Sequence, residues 1–159
     1  MDPFEDVFET NKGKLFAYLL RMTRNGDTAS DILQESATRC LEHYRGKVIT
    51  PALLFTIARN VFMDHVRRTA RLTALDEQQP DTRPDPEHDA IVRDRFQRVL
   101  AGLQALTPEE RDILSMVASS ELPYEQIARI QGTTVSNIKV KVHRARIKLR
   151  RYLEVSPHA

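Results

Sequence analysis

Residues 133–153 read TTVSNIKVKVHRARIKLRRYL and form the most strongly charged segment of a chain that is otherwise close to neutral. Seven lysines or arginines and no acid lie between Lys139 and Arg151, although the chain of 159 residues carries 24 basic and 22 acidic residues in total. The apolar residues that interrupt the charges recur every three or four positions: Val135, Ile138, Val142, Ala145 and Leu149. This spacing predicts an amphipathic helix with a basic outer face.

The segment before this helix predicts a helix-turn-helix motif. A short helix that begins near Pro123 is followed by Gly132, a residue type that commonly ends helices, and the basic helix starts directly after it. In such motifs the second helix enters the major groove of DNA. A helix that only faces water normally mixes charges of both signs, so the uniform charge favours binding to a polyanion over simple solvation.

A helical wheel divides the outer residues of the basic helix into two groups. The first group lies opposite the apolar stripe and is expected to face the bases: Ser136, Val140, His143 and Arg144. The second group flanks the stripe and is expected to bind phosphates, which position the protein without reading sequence: Lys139, Lys141 and Arg146.

The remainder of the chain also has helical periodicity, which predicts an all-α fold. Residues 73–90 differ, because they contain three prolines, six acids and almost no large apolar residue. This composition indicates a flexible acidic linker. We therefore predict two small helical domains, at 1–71 and 89–159, joined by a linker at 72–88, with the helix-turn-helix in the second domain.

Composition narrows the classes of function. Apolar residues make up 41% and charged residues 29%, as in soluble globular proteins. No apolar run is long enough for a membrane span, and the acidic N-terminus differs from a secretory signal, so a cytoplasmic location is expected. The single cysteine, Cys40, lies on an apolar stripe and is interpreted as a core residue. The histidines and this cysteine lack metal-ligand spacing, and no phosphate-binding glycine loop is present, so neither a metal nor a cofactor is expected.

Several segments resemble the extracytoplasmic-function (ECF) sigma factors of bacterial RNA polymerase. In the first domain, ASDILQESATRCLEHY (29–44) and PALLFTIARNVFMDHVRRTAR (51–71) are similar to the core-binding and promoter-melting segments. In the second domain, LTPEERDIL, PYEQIARIQG and VHRARIKLR are similar to the domain that reads the minus-thirty-five box. The lead-in GKVITPALLFTIARN is similar to the iron-starvation subgroup of this family.

The resemblance implies roles for both segments of the first domain. The helix after Ser30 would bind core polymerase through one face: Asp31, Gln34, Glu35, Thr38 and Arg39. Charge alone leaves an ordinary solvated face as an equal alternative. The next helix and the loop before it would bind the minus-ten region and the opened strands: Tyr44, Arg59, Asn60, His65, Arg67, Arg68 and Arg71. Phe62 follows the apolar phase of its helix and is expected in the core.

The implied partners are core RNA polymerase, promoter DNA and an anti-sigma factor, which in this family is often membrane-anchored, with no small-molecule substrate. The chain departs from the family pattern in lacking tryptophan, and in having Val140 and His143 where serine and phenylalanine are common, which affects promoter preference.

A conventional helix-turn-helix repressor or activator is the alternative function. An enzyme is disfavoured, because Asp64 and His65 are adjacent and point to different faces of a helix. The Glu109-Glu110 pair is explained by a helix cap.

Overall fold

The computed structural model describes residues 3–75 and 90–155, and its side chains at 3–72 and 94–155. Every regular element in these ranges is a helix, which confirms the prediction of an all-α fold. The described helices are α1 (Pro3–Thr23), α2 (Gly26–His43), α3 (Pro51–Leu75), α4 (Ala90–Gln104), α5 (Pro108–Ser120), α6 (Tyr124–Gln131) and α7 (Val135–Val155).

Helix α3 is longer than the sequence indicated. It continues to Leu75, whereas we placed the end of the first domain at residue 71 and the start of the linker at 72. Residues 71–75 read RLTAL, and arginine, leucine and alanine all favour helix, while the next proline is Pro80. No local signal therefore ends the helix at 71. The rest of the predicted linker lies outside the described residues.

The starts of α2 and α5 follow capping signals in the sequence. The Asn25 side chain accepts a hydrogen bond from the backbone N–H of Thr28 at 3.0 Å and caps α2. At the start of α5, Thr107 accepts from the N–H of Glu110, and Glu110 accepts in return from the N–H of Thr107. This reciprocal capping box satisfies backbone donors that have no partner within the helix. It confirms the predicted helix cap at Thr107 and Glu110, while Glu109 lies in the same first turn.

The core of the first domain lies between α1, α2 and α3. Its largest fully buried side chains are Leu15, Tyr18, Leu19, Ile32 and Phe55. Cys40 is 1% exposed, and burial raises the pKa of its thiol. The interpretation of this cysteine as a core residue is confirmed.

The core of the second domain is built around α5. Its apolar side chains Ile113, Leu114 and Met116 are buried, and α5 packs against α6 and α7. The C-terminal end of α4 is tied to α5 by Arg111, whose guanidinium donates to the carbonyl of Leu103 at 3.0 Å. The helix that supports the helix-turn-helix is therefore enclosed on several sides.

The two domains are in direct contact. Helix α1 of the first domain packs along α5 of the second, and the buried residues of both form one continuous cluster. The hydroxyl of Tyr18, which is 0% exposed, donates to the carboxylate of Asp112 at 2.5 Å, across 94 residues of sequence. The sequence indicated two domains, and this packing between them was not predicted.

We predict that Glu110→Ala destabilises the protein by about 1–2 kcal/mol, a typical cost for a lost helix cap. Glu110 is buried and accepts hydrogen bonds from Thr107 and, at 2.9 Å, from Lys148 of α7. Urea denaturation followed by circular dichroism measures the change. Glu110→Gln is the matched control, because glutamine retains an acceptor for the cap and should cost less than half as much. Equal stability of wild type and Glu110→Ala would contradict this role.

The same carboxylate gives a pH dependence. Burial raises the pKa of Glu110, but the hydrogen bonds from Lys148 and Thr107 outweigh it, so the pKa lies below its ordinary value. A lowered folded-state pKa stabilises the protein above the unfolded pKa of about 4.3 and loses this effect as the pH falls through the folded value. We expect the stability difference between wild type and Glu110→Gln to be constant near neutral pH and to shrink in that acidic range.

Candidate nucleic-acid interface

The turn between α6 and α7 is built on a glycine. Gly132 ends α6 with φ of 68°, in the left-handed region, and the N–H of Thr133 returns to the carbonyl of Ala128 at 2.9 Å. Only glycine adopts this conformation without steric cost. Helix α7 begins at Val135, three positions after Gly132, so the helix-turn-helix predicted from the sequence is confirmed.

Side-chain hydrogen bonds position the start of α7. The hydroxyl of Thr134 accepts from the N–H of Asn137 at 3.1 Å, and the amide of Asn137 donates to the hydroxyl of Thr133 at 2.9 Å. These bonds satisfy donors of the first turn and join the turn to the helix. The direction in which α7 leaves the turn is therefore defined by its own sequence.

Helix α7 separates an apolar inner face from a basic outer face. Ile138, Val142 and Ala145 are buried, as the sequence predicted. The four residues predicted to face bases are all exposed, with Val140 at 44%: Ser136, Val140, His143 and Arg144. An exposed helix face that carries an arginine can enter a major groove without rearrangement of the helix.

The three residues predicted to bind phosphates do not have equal surroundings. Lys139 and Arg146 are exposed. Lys141 is half-buried, and its Nζ lies 3.3 Å from a carboxylate oxygen of Glu109 on α5. Binding of a phosphate to Lys141 would therefore compete with this ion pair.

On α3, four of the residues predicted to contact opened DNA are exposed: Asn60, Arg67, Arg68 and Arg71. Arg59 differs, because its Nε donates to Asp112 of the second domain at 2.7 Å and its side chain is only 20% exposed. His65 is half-buried, with its Nε2 3.4 Å from the hydroxyl of Thr69. Phe62 is half-buried and packs against the core, as expected.

Helices α2 and α3 share a network of ion pairs. Arg39 contacts Glu35 at 3.0 Å and Asp64 at 2.9 Å. Asp64 also pairs with Arg67, and Arg68 lies 3.5 Å from Glu35. The hydrogen bonds from Arg67 and Arg39 lower the pKa of Asp64, so this carboxylate remains charged to a lower pH than usual.

This network divides the residues predicted to bind core polymerase. Glu35 and Arg39 connect α2 to α3, so they have an internal role. Asp31, Gln34 and Thr38 are exposed on the outer side of α2. The exposed members are the better probes of an external surface, because changing them leaves the network intact.

The loop between α2 and α3 borders a concave site of about 380 Å³. Tyr44 and Val48 line it together with Phe4 of α1, and Lys47 lies over the ring of Tyr44 at 5.7 Å from its centre. Val48 is almost fully exposed. An aromatic ring beside a cation and an exposed apolar side chain can hold a stacked base next to a phosphate.

Sequence reasoning missed Tyr18 and Asp112, which hold the domains together. A weak signal exists in α5, where Asp112, Ser115 and Ser119 follow one another at helical spacing and are all buried. A polar stripe on a helix that also has a full apolar face suggests a second packing surface. The partner of that stripe, Tyr18, is not indicated by its spacing.

Within the described residues, no helix is long and apolar enough to cross a membrane. The same residues contain no group of three or more histidine, cysteine, aspartate or glutamate side chains arranged to hold a metal ion.

Comparison with known proteins assigns both halves of the chain. Residues 7–72 match the family model of sigma-70 region 2, and residues 96–149 match that of sigma-70 region 4. The ECF RNA polymerase sigma factor EcfG of Rhodopseudomonas palustris (strain TIE-1) is 34% identical over 89% of this chain and 80% of its own length. The RNA polymerase sigma factor YlaC of Bacillus subtilis (strain 168) is 26% identical over 98% of this chain and 94% of its own.

A solved structure has the same fold. The sigma factor RpoE from Bartonella quintana, in a co-crystal with the anti-sigma factor NepR, superposes with a TM-score of 0.77 at 23% identity, over 96% of this chain and 97% of that one.

The first domain matches the sigma-70 region 2 model, and the second domain, which carries the exposed basic helix α7, matches the region 4 model. Together these matches define a protein of the sigma-70 class. Within that class, the chain belongs to the ECF RNA polymerase sigma factors.

We predict that Gly132→Ala destabilises the second domain by about 1 kcal/mol, because a side chain disfavours the left-handed conformation. No atom would contact the added methyl group, so the cost comes from the backbone alone. Gly13→Ala is the matched control. Gly13 lies within α1, also with open space around it, and alanine there should stabilise the protein by about 0.5–1 kcal/mol. Urea denaturation measures both, and the same sign for the two variants would argue against a strained turn.

Proposed function

We propose that this protein is a dissociable subunit of RNA polymerase that directs the core enzyme to promoters and helps to open the duplex. The observation that carries the proposal is the occurrence of both sigma-70 regions in one chain, in order, on two helical domains. A conventional helix-turn-helix repressor or activator would not need the first of these regions. The proposed role requires no catalytic group in this chain and a location in the cytoplasm with the polymerase.

The outer face of α7 is proposed to read the upstream promoter box. Arg144 can donate two hydrogen bonds to a guanine, and Val140 can pack on a thymine methyl group. Lys139 and Arg146 are exposed beside these residues and can bind phosphates on either side of the groove. Lys141 would join them after leaving Glu109.

The outer face of α3 and the loop before it are proposed to hold the opened minus-ten region. Asn60 and His65 can donate hydrogen bonds, and the arginines of α3 supply positive charge for the strand. The concave site beside Tyr44 has room for one unstacked base. Removing a base from the stack costs a few kcal/mol, which stacking on an aromatic ring and contacts to the base edge can offset.

Helix α2 is proposed to bind core polymerase through Asp31, Gln34 and Thr38, with Glu35 and Arg39 keeping α2 aligned on α3.

An anti-sigma factor is a further proposed partner. A cleft of about 430 Å³ between α3 and α5 supports it, because Phe62, Met63 and Val66 give that cleft an apolar wall. Membership of the iron-starvation subgroup stays a prediction, supported by the lead-in sequence before Asn60.

Transcription with purified components tests the proposed function. Transcript mapping after overexpression would identify a target promoter, and that promoter on a linear fragment would then be transcribed by core polymerase with and without this protein. We expect specific transcripts only when the protein is present. A protein that binds the fragment but does not make core polymerase initiate there would instead be a conventional repressor or activator.

We predict that Asp31→Lys weakens association with core polymerase without loss of helicity. Asp31 is exposed on α2, so a reversed charge should disturb an external surface and not the fold. A pull-down of core polymerase by the tagged protein measures association, and circular dichroism checks folding. The control is Glu9→Lys, a charge reversal at an exposed position of α1. Unchanged association of a folded Asp31→Lys variant would remove this residue from the proposed surface.

We also predict that Arg144→Ala and Lys139→Ala change DNA binding in different ways: the first reduces sequence discrimination, and the second reduces affinity for all sequences. Loss of Arg144 should reduce discrimination at a preferred guanine by about 1–3 kcal/mol, the range for a bidentate contact. Loss of Lys139 should weaken all box variants alike and lower the salt slope by about one unit. Fluorescence anisotropy with matched and altered boxes over a salt series measures both. Retained discrimination in Arg144→Ala, with loss in Lys139→Ala, would reverse the two assignments.

A further inference from the structure

The contact between the domains engages a side chain that the proposed function assigns to DNA. The two carboxylate oxygens of Asp112 accept from the hydroxyl of Tyr18 at 2.5 Å and from Nε of Arg59 at 2.7 Å. Tyr18 belongs to α1 and Arg59 to α3, so one side chain of the second domain connects to two helices of the first. The charge of Arg59 is neutralised while this contact persists.

The contact is buried and fully bonded. Asp112 is 6% exposed, and both of its oxygens have a donor. Burial, followed by the nearby carboxylate, raises the pKa of Tyr18 well above its ordinary value, so the hydroxyl keeps its proton and remains a donor. A buried carboxylate is stable only with such partners, which makes the contact sensitive to the loss of any one of them.

None of the other polar contacts between the domains in the described residues joins two buried side chains. The guanidinium of Arg21 donates to Ser119 at 3.1 Å, and the side chain of Gln104 donates to the carbonyl of Arg21 at 3.1 Å. Lys14 pairs with Glu121 at 2.8 Å, but the Glu121 side chain is 74% exposed and such pairs contribute little. Asp112 is therefore the central polar contact of an interface that could open.

The proposed function requires that opening. The minus-ten and minus-thirty-five boxes lie about 25 base pairs apart, which is roughly 85 Å of B-form DNA at 3.4 Å per base pair. Domains in contact through α1 and α5 cannot occupy both boxes at once. The described conformation is thus not the one that would bind a complete promoter.

We propose that Asp112 is an intramolecular latch, which in the free protein holds the second domain against the first and keeps Arg59 from nucleic acid. Core polymerase and promoter DNA would release the latch, because they bind the open form preferentially. The biological role of the latch rests on the proposed function, whereas the latch contact itself is a property of the free chain. The larger the population of the closed form, the lower the apparent affinity for DNA.

The test compares Asp112→Ala with Glu121→Ala in the free, full-length protein. Glu121→Ala is the matched control, because it removes a carboxylate from the same domain boundary at an exposed position. Small-angle X-ray scattering measures compactness, for which a closed chain of this length has a radius of gyration of about 15 Å. We expect Asp112→Ala to be larger by several ångströms, and Glu121→Ala to match the wild type.

The second measurement is binding of a labelled oligo(dT) strand, a sequence-independent probe for the face that carries Arg59. We expect Asp112→Ala to bind the strand roughly tenfold more tightly than wild type. Loss of the acceptor for Tyr18 and Arg59 should destabilise the closed form by a factor of this size and leave more of the protein open. The double variant Asp112→Ala with Arg59→Ala should lose that gain. If Asp112→Ala does not fold by circular dichroism, Asp112→Asn replaces it, because it retains the shape and removes the charge.

Two outcomes would overturn the latch. One is scattering and oligo(dT) binding of the Asp112 variant equal to those of Glu121→Ala. The other is an expanded variant whose affinity for oligo(dT) does not change, since Arg59 would then not be the group released. Neither measurement contains polymerase or a promoter, so a failure of the latch is separable from a failure of the transcription assay.

Discussion

The carboxylate of Asp112 accepts hydrogen bonds from Tyr18 of α1 and Arg59 of α3, and among the described residues no other ion pair between the two domains is buried. Removing a carboxylate from water is costly, and two well-placed donors offset that cost only while all three groups stay together. The relative position of the two domains depends on this contact, because the packing of α5 against α1 defines where the second domain lies on the first.

Helix α5 connects the interface between the domains to the helix-turn-helix. Its N-terminal turn carries the capping box, and Glu110 of that box also receives a hydrogen bond from Lys148 of α7. The apolar inner face of α7 packs on the same helix, while the outer face is left to solvent. A change in the contacts of α5 with the first domain can therefore move the recognition helix as a unit, without altering the face that would read bases.

The arginines of the first domain show how an exposed charge acquires a local role. Arg39, Arg67 and Arg68 pair with Glu35 or Asp64, and these ion pairs join α2 to α3. From the sequence, each of these residues was assigned to polymerase or DNA alone. Because ion pairs at partly exposed positions are weak, Arg67 and Arg68 could leave them for phosphates at little cost in stability. Structural and binding roles can coexist in one side chain.

The sequence by itself determined the local features of this protein: the helical stripes, the Asn25 and Thr107 caps, the Gly132 turn and the division of α7 into two faces. Each of these depends on residues a few positions apart, because helix periodicity and capping are short-range effects. The end of α3 at Leu75 was missed, since no local signal marks it. Only the tertiary structure decided that Tyr18 meets Asp112, 94 residues away, and that Arg59 is held by the second domain. Such contacts depend on which helical faces pack together, and the spacing of residues along one helix does not specify its partner.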